Sequence, residues 1–257
     1  MFTFRSVTIS FFILLFLLNL VSVFIYPLPF ILYLLLILIY LSVSVIFSFF
    51  IGSGFHMKAL YKAETREKKV AITFDDGPNH EFTPRILDIL KNRAPAAFFI
   101  IGRNLDNNEQ IIKRMATEGH IIGNHSYTHS YWFDFFSPAK MRNELSQTEK
   151  AIYQITGKKP LLFRPPYGVI NPLLKKALQS FNYHVIGFSK RAWDTSEKSE
   201  EKILNRLIRK LQPGDIILLH DSVPASIKVL EKLLQFLDDN GYTVVRPDVL
   251  LNIQPYA

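Results

Sequence analysis

The chain has no cysteine among its 257 residues. That excludes a disulfide framework, a thiol nucleophile, a Cys-ligated zinc and an iron–sulfur cluster. There is no internal repeat at a fixed period and no low-complexity linker, so the length fits one ordinary domain with an appendage, or two small ones. Charge is missing from a whole region: residues 6 to 55 contain no Asp, Glu, Lys or Arg. A mean hydropathy of +0.14 is high for a protein with this many charges, and this uncharged segment accounts for it. Motifs for nucleic acid are also absent. No helix-turn-helix, zinc finger or aromatic–basic RNA signature accompanies the excess of 30 Lys and Arg over 22 Asp and Glu. Residues 56–69 hold five Lys or Arg against two Glu, and beside a membrane the anionic headgroups are a sufficient partner for that charge. Nucleic acid is therefore not expected as a partner, and no obligate protein partner is evident.

The uncharged region divides into apolar runs at residues 7–26 and 30–51, each long enough to cross a hydrocarbon core of about 30 Å as a helix. Between them Pro27-Leu28-Pro29 breaks the helix where a reversal is needed. A cleavable signal peptide is the rival reading. It would have a shorter apolar core and a small-residue cleavage site, and neither is present. The expectation is a two-helix transmembrane hairpin over residues 1–51, a basic linker over 52–68 and a separate domain over 69–257. Arg5 precedes the first run, whereas Lys58, Lys62, Arg66, Lys68 and Lys69 follow the second. The bias of Lys and Arg towards the cytoplasm then places both ends of the hairpin on that side.

From Lys69 onward short apolar runs alternate with helical stretches. Strands are expected at 70–74, 96–101, 120–123, 161–163, 183–188, 215–219 and 242–245. Helices are expected at about 83–92, 108–118, 137–157, from 171, 199–211 and 224–240. Ser137-Pro138 and Asn171-Pro172 open helices, Thr83-Pro84 reads as another such start, and Gly119, Gly157 and Gly241 close them. Strands alternating with helices predict a parallel sheet, closed into a barrel or distorted barrel.

The polar clusters fall just after strands. Asp75-Asp76-Gly77-Pro78 follows the first, and His125 and His129 follow the third. Arg164-Pro165-Pro166-Tyr167-Gly168 follows the fourth, Trp193-Asp194 the fifth, and His220-Asp221 the sixth. In a parallel barrel those positions share the rim where active sites are built. Two imidazoles four residues apart, with a carboxylate, make a set suited to zinc or a similar divalent ion. Of the adjacent aspartates, one can bind metal while the other stays free as a base. A plain Asp-Asp-Gly-Pro turn accounts for the turn but not for the histidines. Outside these clusters, His184 reads as a core or edge residue, and His56, His80 and His120 as surface or capping residues. The run Tyr131-Trp132-Phe133-Asp134-Phe135-Phe136 suits stacking on sugar rings as well as it suits packing.

Thr73-Phe74-Asp75-Asp76-Gly77-Pro78, His125-Ser126-x-x-His129, Arg164-Pro165-Pro166-Tyr167-Gly168 and Leu218-Leu219-His220 occur in the order and spacing of the NodB-homology polysaccharide deacetylases, carbohydrate esterase family four, which the chain resembles from about Lys69 to Ile253. The resemblance implies a distorted (β/α) barrel of the NodB-homology type. It also implies removal of an N-acetyl group from an amino sugar with one divalent metal ion, zinc first and cobalt or similar next. Carried over by position, it makes Asp76, His125 and His129 the metal ligands and Asp75 the general base. Arg164 orients that base, and Tyr167 is the backbone oxyanion donor. His220 is the acid that protonates the amine, and Leu218, Pro166 and Trp193 contact substrate. One motif departs from the family. Its usual Asp-x-x-Asp-Trp form is replaced by Ser189-Lys190-Arg191-Ala192-Trp193-Asp194, which leaves Arg191 and Asp194 as the candidates for a rearranged support. The expected partner is an N-acetylated amino-sugar glycan such as peptidoglycan or a chitin-like oligomer. A deacylase of a membrane lipid-linked sugar is the alternative. A third reading, a membrane-tethered glycan-binding module without catalysis, leaves the acid–base pair unexplained.

Overall fold

The structure is a computed structural model that describes residues 2–257. Two long apolar helices come first, α1 (Phe4–Phe24) and α2 (Phe30–Ser48), both long and apolar enough to cross a membrane. They run antiparallel: Thr8 Oγ1 lies 3.0 Å from the Tyr40 hydroxyl, and Tyr33 donates to the Leu18 carbonyl at 3.2 Å. Thr3 caps α1 reciprocally with Ser6, which starts the helix earlier than the apolar run does. The second helix stops at Ser48 rather than continuing to residue 51. Phe49 and Phe50 leave it, and Ile51, 6% exposed, is buried in a short 3-10 turn against the following domain.

The domain contains β1 (Lys69–Asp75), α3 (Phe82–Leu90), β2 (Ala96–Ile100), α4 (Glu109–Thr117), β3 (Ile121–Asn124), α5 (Pro138–Thr156) and β4 (Leu162–Phe163). It continues with α6 (Pro172–Leu178), β5 (His184–Val185), β6 (Lys190–Arg191), α7 (Glu200–Ile208), β7 (Ile216–His220), α8 (Ala225–Asp239), β8 (Thr243–Val244) and α9 (Pro247–Leu251). The strands are parallel in the order β5-β4-β3-β2-β1-β7-β6, with β8 also paired to β1. Helices cover the sheet, giving a distorted (β/α) barrel. Val70 to Phe74 are all fully buried, as expected of a central strand covered on both faces.

Residues 52–68 were expected to be a linker, but part of this segment is built into the domain. Leu60 bridges Ile186 just past β5, and Lys62 bridges Asp215 just before β7. Phe55, His56 and Ala59 are buried. His56 is thus not a surface residue: its Nε2 lies 3.0 Å from Ser48 Oγ and 3.1 Å from the Ser44 carbonyl, tying the end of α2 to the domain. His120 is buried as well, because its Nδ1 accepts the Ala96 N–H at 3.1 Å. Burial pushes its imidazole down to about 4, which leaves it neutral. The expected Thr83-Pro84 helix start moves forward by one residue. Asn79 Oδ1 accepts the N–H groups of Glu81 and Phe82 instead, and this frees Thr83 Oγ1 to donate to Asp221 at 2.6 Å.

Candidate active site

The ends of β1, β3, β4, β6 and β7 place their polar clusters around one cleft of about 220 Å³. Trp193-Asp194 follows β6, a two-residue strand that lies beyond the one expected over 183–188, which itself shortens to β5. Asp75, Asp76, His125, His129, Leu218 and His220 all line the cleft. Pro166 is buried beneath the Tyr167 turn, and Trp193 lies under Arg191. Neither lines the cleft. Backbone strain concentrates here. Asp76, Ser126, His129, Tyr167 and Trp193 all adopt positive φ between 47° and 73°, a conformation that non-glycine residues hold only where surrounding contacts over-determine it.

Asp76 Oδ1 lies 3.6 Å from His125 Nε2 and 3.3 Å from His129 Nε2. One donor atom from each of the three residues falls within 4.8 Å of the others. The chemistry of this donor set fits a divalent ion. The Arg164 carbonyl 2.7 Å from His125 Nδ1 can only accept, so Nδ1 carries a proton and Nε2 is the nitrogen turned to Asp76; burial opposes its charge, but Asp75 and Asp76 outweigh burial and raise this imidazole. Burial lowers the His129 imidazole to about 4, with the neighbouring His125 adding to the effect. Burial opposes ionisation of Asp76, but His125, His129 and His220 outweigh it and hold the carboxyl well below its ordinary value. Asp76 Oδ1 is itself buried and accepts no hydrogen bond among the described residues, as a ligand oxygen would be.

Asp75 is held from the other side. Arg164, fully buried, donates from Nη1 to Asp75 Oδ1 at 2.7 Å and to Thr73 Oγ1 at 2.9 Å. Its Nε and Nη2 donate to the carbonyls of Ile186 at 3.1 Å and Gly187 at 2.9 Å. With all these partners the guanidinium is satisfied without any second aspartate, so the family's usual support is replaced by backbone here. The other half of the altered motif is resolved by Asp194. It accepts from His220 Nδ1 at 2.7 Å, from the His220 N–H at 2.8 Å and from Ser226 Oγ at 2.5 Å. Burial by itself would lower the His220 imidazole, but the bond and charge of Asp194 outweigh it and raise it. Arg191 supports neither group. Its guanidinium sits 4.0 Å over the Trp193 ring, and its buried Nε has no hydrogen-bond partner among the described residues.

Two further residues position the site. Glu144, on α5, accepts the N–H groups of Tyr127 at 3.1 Å and Thr128 at 2.7 Å, and so fixes the loop between the two histidines. A lone Glu in an amphipathic helix carries no sequence signal of this. Asp221 packs against Gly77, where an added Cβ would fall 2.1 Å from its carboxylate. Burial pushes the Asp221 carboxyl up to about 7. The Tyr167 ring packs tilted against His129 at 4.7 Å between centroids, and Tyr131, Trp132 and Phe135 stand exposed beyond it.

Residues 62–186 match the family model described as polysaccharide deacetylase. The chain is 36% identical over 200 residues to a peptidoglycan-N-acetylglucosamine deacetylase of Bacillus cereus, covering 74% of this chain and 92% of that one. It is 34% identical to the peptidoglycan-N-acetylmuramic acid deacetylase PdaA of Bacillus subtilis, over 75% of each chain. The crystal structure of the Bc1960 peptidoglycan N-acetylglucosamine deacetylase superposes with a TM-score of 0.71 at 32% identity, covering 77% of this chain and 94% of that one. The chain therefore belongs to the polysaccharide deacetylases, the NodB-homology enzymes of carbohydrate esterase family four, and is a hydrolase of carbon–nitrogen bonds other than peptide bonds.

Proposed function

We propose that the protein is a membrane-anchored, metal-dependent deacetylase that removes the N-acetyl group of an amino sugar, GlcNAc or MurNAc, in a peptidoglycan-type glycan or its precursor. The observation that carries the reading is the meeting of one trio and two pairs around one cleft: Asp76 with two histidines, Asp75 with Arg164, and His220 with Asp194. Asp76, His125 and His129 would hold the ion, with zinc the first expectation for a His₂Asp set. A bound divalent ion supplies Lewis acidity and makes water a competent nucleophile near neutral pH.

The chain's own residues do the rest. Asp75 is the base: Arg164 occupies Oδ1 and leaves Oδ2, 3.8 Å from His125 Nε2, to take a proton from the attacking water. His220 is the acid. Its Nδ1 proton is committed to Asp194, so the proton it transfers to the departing nitrogen comes from Nε2, the side facing Asp76 Oδ2 at 4.0 Å. The water oxygen bonds to the acetyl carbon, the carbon–nitrogen bond breaks, and acetate and a free amine result. Leu218, 2% exposed, bounds the cleft where an acetyl methyl group fits, and Tyr167 at the mouth is placed to donate its backbone N–H to the developing oxyanion. We read α1 and α2 as the transmembrane hairpin, with both of its ends on the cytoplasmic side following the Lys and Arg count. The reading is tested by acetate release from N-acetylglucosamine oligomers: Asp75→Asn should abolish release while leaving metal binding intact.

A further inference from the structure

The catalytic cleft does not end at Leu218. It shares two lining residues, Phe188 and Arg191, with an apolar groove of about 620 Å³, within the size range of ligand pockets. The far side of that groove is made by Phe47, Phe50, Ile51 and Tyr61, where α2 ends and the chain enters the domain. The groove at the end of a membrane-type helix thus adjoins the cleft that holds Asp76, with a cation in the wall they share. Arg191 makes no ion pair among the described residues, and its buried Nε lacks a hydrogen-bond partner. Asp75, Asp194 and Asp76 act on its charge through space without pairing with it, so the guanidinium retains donors that can take an anion.

Two other contacts bring the catalytic rim to the hairpin. The Ser48 carbonyl accepts the Ile170 N–H at 3.0 Å, and Ile51 packs on Gly187, whose carbonyl also holds Arg164. Asn171, beside Ile170, donates to the Asp134 carbonyl at 2.8 Å. This places the exposed Tyr131, Trp132 and Phe135 next to the hairpin exit. Exposed aromatic side chains beside a membrane helix suit the headgroup level of a bilayer.

We propose that the substrate is a lipid-linked one: an N-acetylated amino sugar joined through phosphate to a single long apolar chain. The apolar chain lies in the groove between Phe50 and Phe188, Arg191 pairs with the phosphate, and the acetamido group reaches the Asp76–His125–His129 cluster. This rests on the deacetylase reading and narrows its substrate. The order of environments from groove to cleft (apolar, cationic, then metal-ligating) is the order of chain, phosphate and sugar in such a molecule. A polymeric wall glycan has no part that uses the groove.

The test uses the full chain in phosphatidylcholine vesicles with zinc or cobalt supplied. Three probes are compared by kcat/KM for acetate release: farnesyl-phosphate-linked N-acetylglucosamine, N-acetylglucosamine 1-phosphate and N-acetylchitotetraose. The wild type should favour the farnesyl-linked probe over the chain-free phosphate at least 100-fold. Phe50→Glu should cut that advantage at least tenfold through KM. Phe50→Ala, which only shortens an exposed side chain, should cut it in the same direction and keeps the test open if Phe50→Glu does not fold. Arg191→Gln should lower turnover of both phosphate-bearing probes at least tenfold more than that of chitotetraose. Equal use of the farnesyl-linked and chain-free probes, or preference for chitotetraose, would overturn the lipid-linked assignment and leave deacetylation standing. No acetate from any probe would overturn the deacetylase reading and this one with it.

Discussion

Adjacent residues in this site do opposite jobs. Asp75 and Asp76 are neighbours, yet Arg164 claims one carboxylate and two imidazoles face the other. Asp76→Ala should therefore lose the metal, measured by stoichiometry after dialysis. Asp75→Asn should keep it and lose on the order of 10²–10⁴ in kcat, the usual contribution of a positioned base. Loss of metal by both variants would make Asp75 a ligand. Asp194 and His220 give a pH test. On the proposed reading His220 acts as the protonated acid, so activity should fall as pH rises through its imidazole pKa, which Asp194 raises against the effect of burial. Asp194→Asn removes the raising charge, so the alkaline limb of kcat should move to lower pH, and kcat itself should fall by on the order of 10²-fold. An unmoved limb would assign the acid to another group. The sequence disclosed these residues because Asp, His and Arg after apolar runs are chemically distinctive. It did not disclose that Arg191 leaves the support network for the Trp193 and Phe188 rings. Stacking of that kind depends on backbone paths that no spacing encodes.

At the scale of elements, long features were legible with their ends, and short ones only in part. β1 and β7 are buried apolar runs, and α5 has Ser137 at its start and Gly157 at its end, so periodicity and caps located them. β4 and β5 fall inside the strands expected at 161–163 and 183–188, but β6, with two residues, and α9, with five, are too short for any period to show. The loop between His125 and His129 is held by Glu144 from α5, a contact set by tertiary packing alone. Glu144→Ala leaves the Tyr127 and Thr128 N–H groups without their acceptor. It should cost about 1–3 kcal/mol in thermal or denaturant unfolding. Metal affinity should fall by about 10–100-fold in a competitive titration, the usual effect of removing an outer support. Unchanged affinity would show that the loop holds its shape without α5.

For the whole molecule, the hairpin and the domain are one construction joined through residues 48–63. Ser48 binds Ile170, His56 returns to α2, and Leu60 extends the barrel edge at Ile186. The apolar runs announced the two helices, but the short mixed stretch after them, with no period of its own, gave no sign that it would dock. A chain begun at Thr65 should consequently be less stable than one begun at Lys58, by about 2–4 kcal/mol for the lost Ala59 and Leu60 burial and edge pairing, as measured by denaturant unfolding. Equal stability would return the segment to a linker. The absence of cysteine makes topology testable, since Lys58→Cys creates the one thiol in the chain. It should resist a membrane-impermeant maleimide in intact cells and react after permeabilisation. Labelling of intact cells would place the domain outside. The central claim, a metal-dependent amide hydrolysis at Asp76, His125 and His129, is tested most directly by metal content and acetate release measured together on the purified full chain. The account predicts one divalent ion per chain, loss of ion and acetate release together on chelation, and return of both with zinc or cobalt. Acetate release by metal-free protein, or none from protein carrying its ion with any N-acetylated amino sugar, would contradict it.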